Sequence, residues 1–469
     1  MDAETCERIF EKYAALLASE TLPIDDAGYK KNDIRLEEVT CVIRHLSQFI
    51  SRISKELSRG YIISRLSDLI VGFGLVHKVD SDERDFGPED FLCIAENAVK
   101  CFQCLKLLLK EVQDLSQGQT HNFLISSLLL CATHFENHYW TTDASNRMCK
   151  EFIQDVLQNT KQKSISSLLT DDSFYPTIFK GSLKKIRPIL LKDTWMLYPS
   201  SCYIFSWLLH HVKHPFLVDY LSDVLPPAFM FVSYYKPPQQ AIGIQCFNHV
   251  LDNVPQSLIK LDGTEDAIYH SLFSFTYSKE PCIVEQLFPC LLKLPMMEPS
   301  KTQSVLWMEF DNIFNNLLFN MAVENNLELK RLFLSQVLNF CVHSPPFKHL
   351  KRLIAVIKQS ITDEISADVV CRITALKILK TVIQCCGPRM KNYCFEVLVL
   401  ILELQENKAN LSNSSTSTIE ELDHLCKECI LLLRFACTEK FELLTANFTG
   451  DCPNLPQAKF LRNVLVADS

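Results

Sequence analysis

The sequence predicts an all-α protein, a HEAT/armadillo-like α-solenoid of irregular helical hairpins, and three observations carry that expectation. Apolar residues recur at steps of three and four almost throughout, the spacing that lines one face of a helix. Only 11 of 469 residues are glycine, against a usual level of about 7%. Tight hairpins and nucleotide-cradling loops consume glycine, so all-β, Rossmann and P-loop architectures are disfavoured. No run of alternating β-branched residues reads as a strand. Hydrophobic residues make up 48% and charged residues 22%, the composition of a folded chain. The net charge of −8, from 47 Lys and Arg against 55 Asp and Glu, lacks the basic field of a phosphate-backbone binder. No nucleic acid is expected as a partner.

Taken in order, residues 1–88 read as an N-terminal helical segment. Asp2, Glu4, Glu7 and Glu11 are unlike the basic start of a signal peptide. The longest wholly apolar run, Val397 to Leu402, is far short of the roughly 18 residues a membrane span needs. With neither export nor a membrane span expected, the 20 cysteines read as reduced core thiols, and the sequons at Asn410, Asn413 and Asn447 as idle. The charged break from Lys78 to Asp90 sets a domain boundary, with residues 89–469 forming the array. Fifteen of the 20 prolines lie between Pro176 and Pro346. Each should end a helix or occupy its first turn, because an interior proline costs about 3 kcal/mol. Short helices follow, with Pro226-Pro227, Pro237-Pro238 and Pro345-Pro346 as punctuation at their ends.

Further on, Leu350, Ile354, Ile357 and Ile361 form one buried stripe, while Lys348, Lys351, Arg352 and Lys358 give that helix a basic outer side. After a short turn near Thr362 to Asp368, Val369, Ile373, Leu376, Leu379 and Ile383 form the next stripe, with Lys377 and Lys380 off it. Gly387-Pro388 is a stop signal. The run NLSNSSTST, residues 410–418, predicts a mobile loop near 407–418. Ser417 or Thr418 can then form a capping box with Glu420 or Glu421. The last long helix would bury Leu422, Leu425, Cys429, Leu432 and Ala436. Helix, short turn, helix at roughly 40 residues per unit is the period of HEAT or armadillo repeats.

Residues that could carry chemistry do not assemble into a reaction centre. Cys101 with Cys104 and Cys426 with Cys429 have the C-x-x-C spacing of a zinc knuckle, but both pairs sit in helical apolar stripes and lack the turn glycine. His134 and His138 stand four apart, yet Glu136 is misplaced for a metalloprotease, and a surface pair is expected. His210, His211 and His214 have no carboxylate neighbour before Asp219. The G-x-S-x-G, P-loop and G-x-G-x-x-G patterns are missing. No catalytic, cofactor-binding or metal-ligating residue is expected.

Several short motifs resemble one family in matching order. They are Trp140-Thr141-Thr142, Phe205-Ser206-Trp207, Val224-Leu225-Pro226, Ile242-Gly243-Ile244-Gln245-Cys246, His249, Asn253-Val254-Pro255, Tyr269-His270 and His349-Leu350-Lys351-Arg352-Leu353. Together, from about Ala95 to Gln384, they resemble the Tel-two-interacting protein two family. That resemblance implies a helical, non-catalytic subunit of the triple-T complex, with Tel-two and Tel-two-interacting protein one as partners. It further implies work with the ninety-kilodalton heat-shock chaperone in maturing phosphatidylinositol-3-kinase-related kinases, in cytoplasm and nucleus. Within the resemblance, Lys348, Lys351 and Arg352 are the expected partner-binding residues. They are cations without an acidic residue four positions earlier, on an otherwise acidic chain. A HEAT-type transport receptor is the alternative, although its rows of acidic residues at unit spacing are not seen.

Overall fold

The structure is a computed structural model of the chain. It describes residues 8–9, 11–13, 36–46, 48–49, 59–80, 84–112, 117–261, 263–294, 303–362, 368–406, 416–451 and 456–466. Among the described residues there is no strand, and the expected all-α class holds. The α-helices are α1 (Leu36–Arg44), α2 (Arg59–Gly74), α3 (Ile94–Val112), α4 (Gln117–His134), α5 (Asp143–Asn159), α6 (Ile165–Leu169), α7 (Ile178–Ile186), α8 (Ser201–His210), α9 (Leu221–Val232) and α10 (Pro237–Asn253). They continue as α11 (Gln256–Leu261), α12 (Thr264–Phe273), α13 (Pro281–Lys293), α14 (Gln303–Val323), α15 (Leu327–His343), α16 (Leu350–Thr362), α17 (Val369–Met390), α18 (Cys394–Glu406), α19 (Thr416–Ala436), α20 (Thr438–Asp451) and α21 (Pro456–Val466).

The chain divides into two units, Met1–Tyr234 with Gln245–Leu258, and Tyr235–Ile244 with Ile259–Ser469. In the first unit, α1, α3 and α5 lie side by side in one layer, while α2, α4, α7 and α8 follow one another in the facing layer. Asp68 of α2 links that second layer, accepting from Ser126 of α4 at 2.5 Å and pairing with Lys185 of α7. The described residues on either side of 81–83 make contacts within this unit. Val79 N–H donates to Leu197 O at 2.8 Å, and Phe91 joins Val76, Ile94 and Trp140 in one apolar cluster.

The second unit repeats the arrangement. α14, α16, α18 and α21 form one layer, α13, α15, α17 and α19 the other, and the hairpins α14–α15, α16–α17 and α18–α19 pair across. This is HEAT-like order, in which each hairpin buries its apolar stripes against the next. The stripes anticipated for α16 and α17 are buried residue for residue. Phe288, Phe314 and Phe333 are fully buried in this unit, each worth about 1.5–3 kcal/mol of transfer free energy.

The local expectations meet different outcomes. Pro226 and Pro227 lie inside α9, and Pro289 inside α13. The carbonyls they leave without helix donors, four residues back, belong to Ser222, Asp223 and Glu285, all exposed residues. Gly387-Pro388 marks a break as expected: Cys386 just before it is non-helical (φ −109°, ψ 17°), and α17 is two helical pieces joined across that kink, the second ending at Met390. Ser417 and Thr418 are not caps, because they already lie within α19. The buried stripe of α19 is Leu422, Leu425, Cys426, Cys429 and Leu433, with Leu432 and Ala436 half-buried. The anticipated turn at residues 363–367 and the loop at 407–415 lie outside the described residues.

Candidate interaction surfaces

The groups that could have carried chemistry are built into the layers. Cys101, Cys104, Cys426 and Cys429 are all buried. The Cys101 thiol donates to Ile70 O at 3.0 Å, and the Cys429 thiol contacts Leu376 O at 3.7 Å. Burial pushes both thiols well above their ordinary pKa, which opposes the thiolate that zinc requires. Among the described residues no group of three or more His, Cys, Asp or Glu could hold a metal ion.

The histidines correct one expectation outright. His134 and His138 are not a surface pair, nor do they share a helix, since α4 ends at His134. His134 is fully buried, with Nε2 at 2.7 Å from Gly74 O. His138 lies in the following turn, its ring 4.8 Å from Trp140 and 4.4 Å from Tyr203. Burial lowers both to about 4, and for His138 the neighbouring His134 adds to the effect. His210 and His211 each hold Nδ1 at 2.7 Å from the carbonyl four residues earlier, while the His214 N–H points to Asn253 Oδ1 at 3.4 Å.

A pH dependence follows. Unfolded histidine, with a pKa near 6.5, binds protons that the folded His134 and His138 refuse until about pH 4. Their contribution is complete above pH 6.5 and is lost as pH falls toward 4. Melting temperature should therefore decline between pH 7 and pH 5, and His134→Gln should flatten the decline. An unchanged slope in the variant would remove His134 from the account.

The three cations expected to meet a partner are not equivalent. Lys348 pairs with Asp311 of α14 at 2.5 Å, and Asp311 also faces His349 Nε2 at 2.9 Å. Arg352 donates to Asn315, and Gln359 of the same helix donates to Ala322 O at 3.2 Å. These contacts all span 37 or 38 residues, one helical repeat, and tie α16 to α14 as a ladder. Arg331 repeats the step in the other layer, holding Asp368 through two bonds at 2.8 and 2.9 Å and lowering its pKa. Lys351 is exposed, one position off the ladder. The sequence searched for partners four residues away on the same helix; the partners come from the neighbouring repeat.

The ordered motifs resolve into structural positions. Trp140 Nε1 donates to Thr133 O at 2.9 Å, Thr142 caps α5, and His249 Nε2 lies 2.8 Å from Val212 O. Phe205, Val224, Ile244 and Cys246 are fully buried. What the sequence reading missed are apolar residues on exposed helix faces, above all Val342 and Phe435, which are 62% and 87% exposed. Their signal was available as large apolar side chains off the buried stripes.

Comparison with known proteins places these motifs. No family model matches the chain. It is 26% identical to mouse TELO2-interacting protein 2 over 358 residues, covering 72% of this chain and 67% of that protein. The human protein of that name is 24% identical, with 74% and 70% covered, and the rat protein 26% identical, with 74% and 68% covered. Among solved structures, the karyopherin Kap121p bound to Nup53p matches with a TM-score of 0.47 at 10% identity, covering 99% of this chain and 45% of that one. Yeast importin-beta, Kap95p, matches with a TM-score of 0.49 at 9% identity, covering 97% and 61%. Over 72–74% of its length the chain is thus similar in sequence to the TELO2-interacting protein 2 proteins, the similarity that its ordered motifs implied.

Proposed function

We propose that the chain is a non-catalytic scaffold subunit of the triple-T complex, joining Tel-two and Tel-two-interacting protein one. In this role it supports, with the ninety-kilodalton heat-shock chaperone, the folding and stability of phosphatidylinositol-3-kinase-related kinases in cytoplasm and nucleus. The observation that carries the reading is the similarity to TELO2-interacting proteins across 72–74% of the chain. The fold is suited to it, because layered hairpins expose long rows of side chains without needing a reaction centre.

Lys351 belongs to this proposal as a docking residue, with Lys348 and Arg352 as ladder residues that fix its helix. In reconstitution from purified proteins, Lys351→Glu should reduce recovery with Tel-two-interacting protein one several-fold. Its melting temperature should stay within a few degrees of wild type, since exposed substitutions shift stability by only about 0.5 kcal/mol. Arg352→Glu, which also loses Asn315, should cost stability as well as binding. Recovery unchanged by Lys351→Glu removes the residue from the interface.

A further inference from the structure

From Ser173 to Lys192 the chain holds five Lys and Arg, namely Lys180, Lys184, Lys185, Arg187 and Lys192, and no Asp or Glu, in a protein of net charge −8. The first four lie on α7 or on the 3-10 turn Arg187–Leu190 that continues it. Lys180, Lys184 and Arg187 follow one another at steps of four and three, which sets them on one side of that rod over about 10 Å. All three are exposed, while Ile178, Phe179, Ser182 and Ile186 are buried on the opposite side. Lys185 lies off this row and has partners within the fold. It pairs with Asp68 of α2 and donates to Ser126 of α4 at 2.6 Å.

The row is not neutralised by its surroundings. Among the described residues no side chain pairs with Lys180, Lys184, Arg187 or Lys192. The helices that pack most on α7 are α4, α6 and α8, and none of the three contains an Asp or Glu. Asp171, just before α7, accepts instead from Gln162 at 2.7 Å and from the Ser173 N–H at 2.9 Å. Asp219 stands beside the Tyr220 hydroxyl that meets Thr177 at 2.8 Å, yet it forms no ion pair with the row.

Helix energetics account for only part of this arrangement. Lys184 and Arg187 stand at the C-terminal end of α7, where a cation offsets the helix dipole. Lys180 stands in the first turn, where the dipole disfavours a cation, and four residues from Lys184, where a like charge is unfavourable as well. The fold itself gains nothing from the Lys180 charge, which leaves it to a carboxylate from outside the chain.

We propose that the exposed side of α7 and the turn after it dock an acidic helix of a partner protein, whose carboxylates at steps of three and four face Lys180, Lys184 and Arg187. Arg187 can hold a carboxylate through two N–H groups at once, and the two lysines act as point charges. The length of the row decides among anions. Its cations are fewer than the roughly 6–10 phosphate contacts of a duplex binder or the about 4–8 basic residues of a lipid-binding cluster. The net charge of −8 also repels an extended polyanion. Which protein supplies the helix rests on the scaffold reading; the recognition of an acidic helix does not.

The test uses the full chain and a labelled 20-residue helical peptide with glutamates at steps of three and four along one side, beside a version with lysines in their place. The glutamate peptide should bind at least tenfold more tightly than the lysine peptide and weaken several-fold as salt is raised. Reversing the row, with Lys180→Glu, Lys184→Glu and Arg187→Glu together, should cost at least tenfold in affinity. The same change of net charge at three other exposed positions, Lys110→Glu, Lys427→Glu and Lys459→Glu together, should cost less than threefold. Lys180→Glu alone separates binding from folding. It removes the first-turn cation and sets a glutamate four residues before Lys184, so it should weaken binding several-fold and melt no lower than wild type. Equal binding of the two peptides, full affinity in the reversed row, or an equal loss in the control variant overturns the proposal. So does tighter binding of a 20-nucleotide single strand, or of phosphatidylserine vesicles, than of the glutamate peptide. In a second arm the chain is mixed with Tel-two and Tel-two-interacting protein one. If no complex forms while the glutamate peptide binds as described, the scaffold reading fails and the docking surface stands. If the complex forms, the reversed row joins it normally and the peptide does not bind, the docking surface is wrong and the scaffold reading stands.

Discussion

Trp140→Ala is expected to destabilise the first unit by about 3–5 kcal/mol, the range for emptying a large aromatic site in a packed core. The ring is buried among Val76, Phe91 and Ile94, lies edge-on to Phe91 at 5.5 Å and Tyr203 at 5.6 Å, and donates to Thr133 O. It anchors the stretch that the sequence marked as a charged break. There Arg84 bridges to Asp90 and lies over the Phe86 ring at 5.6 Å, and the Gly87 N–H donates to Asp90 at 2.9 Å. Each party holds the other's charge in place, with the Asp90 carboxyl lowered by Arg84. The readout is a lowered melting temperature with loss of amide-exchange protection across 84–94. Trp140→Phe keeps most of the apolar area and loses the Thr133 bond, so it should cost about 1 kcal/mol. A change below 1 kcal/mol in the alanine variant would show that the break is not anchored on this ring.

Arg372→Met should act in the opposite direction. Arg372 sits in the second turn of α17, is 7% exposed, and its Nε and Nη1 are buried with no hydrogen-bond partner. Burial lowers its pKa, and Asp368, already held by Arg331, only partly offsets the effect. Leaving buried donors unsatisfied costs about 1–3 kcal/mol, and methionine fills a similar volume without that cost. The variant should melt several degrees higher, or require more denaturant to unfold. A lower melting temperature would mean that the guanidinium is satisfied in the folded protein.

What was legible in the sequence was whatever depends on one helix at a time. The stripe Leu350, Ile354, Ile357, Ile361 and the stripe from Val369 to Ile383 needed only the 3.6-residue period, and all their members are buried. Relations between helices were not legible. Lys348 and Arg352 looked unpartnered because Asp311 and Asn315 lie one repeat away. His134 looked like a surface residue because nothing local reveals that Gly74 O meets its ring. Pro226 and Pro289 looked like helix ends because the local cost of a proline does not reveal that the helix continues through it. The ordered motifs pointed to the family through core and cap residues, and so said little about where a partner sits.

The most direct test of the account is co-purification of the tagged full chain from cells, with the recovered proteins quantified by mass spectrometry. The scaffold reading predicts Tel-two and Tel-two-interacting protein one in amounts comparable to the chain itself, with phosphatidylinositol-3-kinase-related kinases and chaperone at lower levels. Recovery of neither protein, or of nuclear-import cargo in their place, would contradict it.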